Sequence, residues 1–142
     1  LRPQQGIESG SFKIYFGMDR QDIRSQLSKE FSPPAKSNYP DEDDFTTADN
    51  STLIRIRYDG TLVRDIEFLG GLLGYQGIDL HAGTAFTEIE ARFGEMGFTF
   101  RYTEWLGDGQ DCPELGINIA THEDVGGDGD GVEWVILSSN FK

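Results

Sequence analysis

Positive charge is scarce in this 142-residue chain: Lys and Arg number 12 against 25 Asp and Glu, a formal net charge of −13. Such a surface repels a phosphate backbone, which argues against direct nucleic-acid binding. Cysteine is rarer still, and the single Cys112 excludes an intramolecular disulfide, removing one common reason to expect secretion. No run approaches the ~20 apolar residues that a membrane helix needs, so a soluble protein with no membrane partner is expected. Histidine occurs only as His81 and His122, with no H-E-x-x-H or paired-cysteine motif around them. A Gly-rich phosphate loop and a G-x-S-x-G elbow are also missing, so no enzyme signature is present. Neighbouring carboxylates should raise the Cys112 pKa and make it a poor nucleophile. Methionine is absent from position 1, where Leu1 stands. The expected location is cytoplasmic, or periplasmic if a signal peptide was removed before Leu1.

The acidic excess is local. Asp41–Asp44, Glu104–Glu114 and Glu123–Glu133 hold 13 acidic residues and no Lys or Arg, while the other 12 acids match the 12 bases. Concentrated anionic segments on an otherwise balanced domain suggest a surface that meets a cationic partner; solubility alone is the competing explanation. Asp41, Glu42, Asp43, Asp44, Glu104, Asp108, Asp111, Glu123 and Asp124 are therefore candidate partner-binding residues. Trp105 joins them as a candidate interface anchor, since Trp dominates binding hot spots; equally, it could cap one end of the core.

Apolar residues reach 37%, with 10 Phe, 5 Tyr and 2 Trp, enough for one domain spanning 1–142 with roughly two-thirds of its surface buried on folding. Phe12 to Gly17 reads as a strand with Phe12, Ile14 and Phe16 on one face. Asp19 is a suitable N-cap for a helix over 19–30, with Met18 and Ile23 at the staple positions and Ile23, Leu27 and Phe31 as its apolar stripe. Ser32-Pro33-Pro34 ends it. Residues 32–50 read as a long irregular polar loop. The segment from Leu53 to Leu69 is the clearest hairpin. A three- or five-residue loop around Asp59-Gly60 is preferred, because it sets Arg55 and Arg57 opposite Asp65 and Glu67 and Ile54 opposite Ile66 or Phe68.

The second half repeats the plan. A strand is expected over 73–80, then a helix starting at Thr84 with Phe86, Ile89, Phe93 and Met96 on one side and Gly97 at its left-handed end. Strands follow at 98–104, 115–121 and 132–139, with Trp134 in the core. Aligning Ile14 with Ile78 brings Ile23 near Ile89, which suggests a duplicated strand–helix–strand–strand unit. The fold class is α+β: a mainly antiparallel sheet of five to seven strands with both helices on one face.

The Gly127-Asp128-Gly129-Asp130-Gly131 run resembles part of a calcium loop, but Gly126 stands where the first acid should be and Leu137 where the closing Glu should be. A Gly/Asp hairpin connection is preferred, with no metal and no cofactor. The segment Gly17-Met18-Asp19-Arg20-Gln21-Asp22-Ile23 resembles the G-M-[ST]-x-x-[DE]-[VI] helix start of bacterial β-lactamase-inhibitor and outer-membrane-assembly lipoproteins, with Asp replacing Ser or Thr at the cap. More broadly, the chain's size, its Y-D-G-T-L-V-R-D-I-E-F hairpin, its P-E-L-G-I-N-I strand entry and its acidic segments look like the small acidic immunity proteins that bacteria encode beside polymorphic toxins of contact-dependent or type VI secretion systems. That resemblance implies a non-enzymatic protein that binds a basic toxin domain, often a nuclease, and covers its active site or substrate groove. The alternative is a small enzyme or ligand-binding domain with a pocket between sheet and helices, rimmed by Glu104, His122 and Asp124.

Overall fold

The computed structural model describes residues 1–34, 39–104 and 106–141. Among the described residues there are two short hairpins, two α-helices and one large sheet. Strands β1 (Gly6–Glu8) and β2 (Lys13–Tyr15) form the first hairpin, and α1 (Arg20–Leu27) follows. Next come β3 (Glu42–Thr46), β4 (Leu53–Asp59) and β5 (Leu62–Gly70). A second hairpin, β6 (Gly74–Tyr75) and β7 (Ile78–Asp79), leads into α2 (Phe86–Glu95). The chain closes with β8 (Arg101–Tyr102), β9 (Gln110–Cys112), β10 (Ile117–Thr121), a 3-10 turn at Glu123–Val125 and β11 (Val132–Ser138). The 7-stranded antiparallel sheet has the order β3-β4-β5-β11-β10-β9-β8. No helix among the described residues is long and apolar enough to cross a membrane.

Alternation decides the layers. Ile54, Ile56, Ile66, Phe68, Val135, Leu137, Ile117 and Ile119 share one sheet face and join Ile23, Leu27, Phe86, Ile89 and Phe93 of the helices in a single buried cluster. Both helices therefore cover that face. The other face carries Arg55, Arg57, Asp65, Glu67 and Ser138, and neither helix of the described residues packs on it. Trp134 lies there too, only half-buried. It is not the core residue expected, because its register sets it with Ala120 on the polar face.

The first helix forms as its cap predicts: the Asp19 carboxylate accepts from the Gln21 N–H at 2.9 Å. It is shorter than expected, ending at Leu27, yet Phe31 still reaches the core at 6% exposure. The second helix departs from expectation at its start. Ala85, not Thr84, holds the cap position and has no capping side chain. Asp130 supplies the cap from a distant loop: its carbonyl accepts from the Phe86 N–H at 2.8 Å, and its carboxylate from the Thr87 N–H and Oγ1 at 3.3 and 2.9 Å. Gly97 takes the left-handed conformation at φ 85, and the Phe98 N–H reaches back to the Phe93 carbonyl at 2.9 Å. This is the Schellman closure that glycine permits.

Three expected elements are redrawn. The predicted strand over 73–80 is the β6–β7 hairpin, because Gln76 and Gly77 both take positive φ (52 and 77) and reverse the chain. The β4–β5 turn is two residues long, Gly60-Thr61, and not the longer loop preferred. A bulge that leaves Arg64 unpaired restores the expected register, with Arg55 opposite Glu67 and Arg57 opposite Asp65. The irregular segment over 32–50 contains β3, an edge strand built from Glu42-Asp43-Asp44-Phe45-Thr46.

The two halves share one plan: hairpin, helix, then strands that run inward to the sheet centre. There, β5 and β11, the last strands of each half, pair with each other. The cap residues Asp19 and Ala85 have identical backbone angles, φ −73 and ψ 143. Asp19 bridges Leu62, the first residue of β5, and Ala85 bridges Gly131, one residue before β11. Pairing outward from Ile66 and Leu137 makes Ile56 equivalent to Ile117, and Asp43 equivalent to Cys112.

Candidate functional site

The register separates the acidic segments by sheet end. The β3–β4, β8–β9 and β10–β11 connections and the exit of β5 lie at one end; the β4–β5 and β9–β10 turns lie at the other, beside Asp41. The 104–109 part of one lysine- and arginine-free stretch and the 123–131 part of another thus converge, while Glu114 and Asp41 stand at the other end.

The third stretch, Asp41–Asp44, is not a free acidic loop. Glu42 and Asp43 are buried, at 9% and 2% exposure, and Asp44 is half-buried. Asp43 points to the helical face, where Arg20 and Arg24 each grip its carboxylate twice. The Arg20 contacts are 2.7 and 3.1 Å and the Arg24 contacts 2.7 and 3.0 Å. The Tyr58 hydroxyl donates to it at 3.0 Å, and the Arg20 guanidinium lies 4.6 Å from the Tyr58 ring centre. Burial pushes the Asp43 pKa up, but the bonds from Arg24, Arg20 and Tyr58 together outweigh it and hold the carboxyl at about 2. On the open face, Arg55 bonds Asp44 at 2.8 Å, and Arg57 bonds Glu42 at 3.1 Å and Glu67 at 3.0 Å. Asp and Glu are poor strand formers. These cross-strand arginines compensate them, and so the segment becomes a strand with its charge consumed internally. Only Asp41 remains fully outside.

At the opposite end the carboxylates keep their charge. Glu104, Asp108, Glu123 and Asp128 are exposed, while Asp124, Asp130 and Glu133 are half-buried. No Lys or Arg forms an ion pair with Glu104, Asp108, Glu123, Asp124, Asp128 or Asp130 among the described residues. Asp124, inside the 3-10 turn, accepts from the Thr121 N–H at 2.9 Å, and its own N–H donates to Thr121 Oγ1 at 3.2 Å. Trp105 lies outside the described residues. Asp111 is buried at 1% and positions the loop instead of facing outward. Its carboxylate accepts from Asn118 Nδ2 at 2.9 Å, and that amide also reaches the Asp108 carbonyl at 3.4 Å. Trp134 Nε1 donates to the Asn118 side-chain carbonyl at 2.8 Å. Gly109, at φ 97, approaches so closely that a Cβ there would stand 2.7 Å from Asn118 Oδ1. The β8–β9 connection is thus pinned to the polar face by a fully buried asparagine, a role the sequence did not signal.

The same end holds a pocket of about 510 Å³ lined by Gly71, His81, His122, Asp130 and their neighbours. Both histidines of the chain line it, which spacing alone could not show. Of the rim residues anticipated for the ligand-binding alternative, His122 is present, but Glu104 and Asp124 are not among the lining residues. His122 Nδ1 meets the Glu133 carboxylate at 2.5 Å, and His81 Nε2 meets the Glu133 carbonyl at 3.2 Å. Cys112 is fully buried, and burial, with Glu114 adding to it, pushes its thiol up to about 12. It is inert as a nucleophile at neutral pH. No group of three or more His, Cys, Asp or Glu among the described residues is arranged to hold a metal ion. Neither a family model nor a curated protein nor a solved structure matches the chain.

Proposed function

We propose that this chain is a non-enzymatic, cytoplasmic binding protein that neutralises a basic protein partner, as the immunity proteins it resembles neutralise toxin domains. One observation carries the reading: the 103–109 and 122–131 connections converge at one sheet end, and among the described residues Glu104, Asp108, Glu123, Asp124, Asp128 and Asp130 form no ion pair with Lys or Arg. Uncompensated charge on adjoining loops sets up a field that steers a cationic surface and complements it on contact. A toxin that receives an anionic substrate presents such a surface, and covering it blocks the substrate. With Glu42, Asp43, Asp44 and Asp111 consumed internally, the proposed contact residues narrow to Glu104, Trp105, Asp108, Glu123 and Asp124, with Asp128 added.

The test is co-expression with the neighbouring toxin gene. Wild type should protect the cell, and the combined variant Glu104→Lys, Asp108→Lys, Glu123→Lys should lose protection while its melting temperature stays within about 2–4 °C, as expected of surface changes. Undiminished protection by that folded variant would remove the acidic end from the contact. The pocket lined by both histidines favours a second reading, a small-ligand-binding domain; in that case ligand binding would survive the loop charge reversal.

A further inference from the structure

Four polar side-chain atoms in the lining of the histidine pocket engage no hydrogen-bond partner among the described residues: His81 Nδ1, which is buried, His122 Nε2, Asp130 Oδ1 and Thr84 Oγ1. Their states follow from their neighbours. A carboxylate only accepts, so the Glu133 contact places a proton on His122 Nδ1, and in the neutral ring Nε2 is the acceptor. The Cδ2–Nε2 edge of that ring lies against Gly131; a Cβ there would stand 2.9 and 3.0 Å from the two atoms, so only glycine lets the imidazole sit where it does. The start of α2 borders the same pocket, but its leading N–H groups are already taken, by Asp130 at Phe86 and Thr87 and by the Ala85 carbonyl at Glu88 and Ile89. No donors remain there to draw an anion, and Asp130, Glu133 and the acidic connections around the pocket oppose one.

We propose that this pocket is a subsite for a basic side chain, specifically an arginine-type guanidinium donating to Asp130 Oδ1 and to His122 Nε2. Its volume falls in the range of ~300–1,000 Å³ typical of ligand sites. A planar guanidinium with several donors can meet a carboxylate and a neighbouring acceptor at once, which a point-charge ammonium does less well. The inference rests on the reading of a basic partner and names where one of its side chains is anchored, behind the acidic loops that steer it in.

The two histidines make the test direct, because His122 and His81 give only two Cε1–H signals in a proton–carbon NMR spectrum, assigned by His81→Gln. The probe is N-acetyl-arginine amide, with N-acetyl-glutamine amide and N-acetyl-glutamate amide as neutral and anionic controls at constant ionic strength. The cationic probe should shift the His122 signal saturably, with a dissociation constant of about millimolar, fitting one fragment-sized contact. Asp130→Asn should weaken it about tenfold, the loss of one charge-assisted bond. Ala82→Trp should abolish the shift from an exposed lining position, without touching the α2 cap that Asp130→Asn puts at risk. An unsaturable response, equal shifts by the neutral or anionic control, or binding undiminished in Ala82→Trp would overturn the proposal. Slowed partner association in the loop variants, with no His122 response to the probe, would remove the pocket while leaving the basic partner in place.

Discussion

At the scale of single residues, Asp43 shows how a charge count misleads. Four consecutive acids look like a free anionic patch, yet Asp43 is 2% exposed and shared by two arginines and a tyrosine. Asp43→Ala should cost about 3–5 kcal/mol in urea unfolding, because it strands a mostly buried Arg20 and a buried Tyr58 hydroxyl without their acceptor. Arg24→Ala should cost no more than about 1 kcal/mol, since that side chain is 37% exposed and solvent screens its pair. The sign of the pH dependence follows. The folded pKa of Asp43 lies below its ordinary value, at about 2 against 3.8. Its contribution is therefore complete above the unfolded value and lost as pH falls from 3.8 toward 2. Asp49 sits equally low through bonds from Ser51 and Thr47, so the wild-type slope in that window contains both groups. Asp43→Asn should flatten it in part, and a variant with the full wild-type slope would exclude the cluster as its source.

At the scale of elements, the distant partners are what the sequence hid. The α1 cap was legible because Asp19 bonds two residues ahead. The α2 cap was not, because Asp130 lies 43 positions after Thr87, the residue it caps. Asp130→Ala should therefore cost about 0.5–2 kcal/mol, whereas Thr84→Ala should be near neutral; thermal melts of the pair decide which residue caps. Hydrophobic periodicity located both helices and the buried faces of β4, β5 and β10; on β11 it chose the face of Trp134, whereas Val135 and Leu137 face the core. It could not find β3, whose pattern is acidic, nor β9, which lies inside a stretch read as loop. Both depend on partners that only the assembled sheet supplies: arginines from β4 and α1 for β3, and Asn118 of β10 for β9. The Asn118 anchor carries its own expectation. Gly109→Ala should destabilise by about 1–3 kcal/mol through its left-handed backbone and the clash with Asn118. It should also speed amide exchange across 103–110 while leaving α1 protected; unchanged exchange there would mean that the connection is not pinned.

At the scale of the whole molecule, the repeated hairpin–helix–strand plan gives a sheet with one covered face, one polar face and two unlike ends. The candidate site was legible only in part: composition found the acidic segments, but only the register shows that parts of two converge while the third is neutralised. Glu104, Asp108, Glu123 and Asp128 thus form the charged end, and Asp41 sits at the other. The most direct measurement is the association rate with the product of the neighbouring gene, the proposed basic partner, across ionic strengths, for wild type, for the triple variant Glu104→Lys, Asp108→Lys, Glu123→Lys, and for Asp41→Lys. As the Debye length contracts from ~30 Å at 0.01 M to ~8 Å at 0.15 M, the wild-type rate should fall at least about tenfold. The triple variant should start slow and lose most of that salt dependence, with Asp41→Lys close to wild type. A triple variant that associates as fast as wild type, with the same salt slope, would contradict the account.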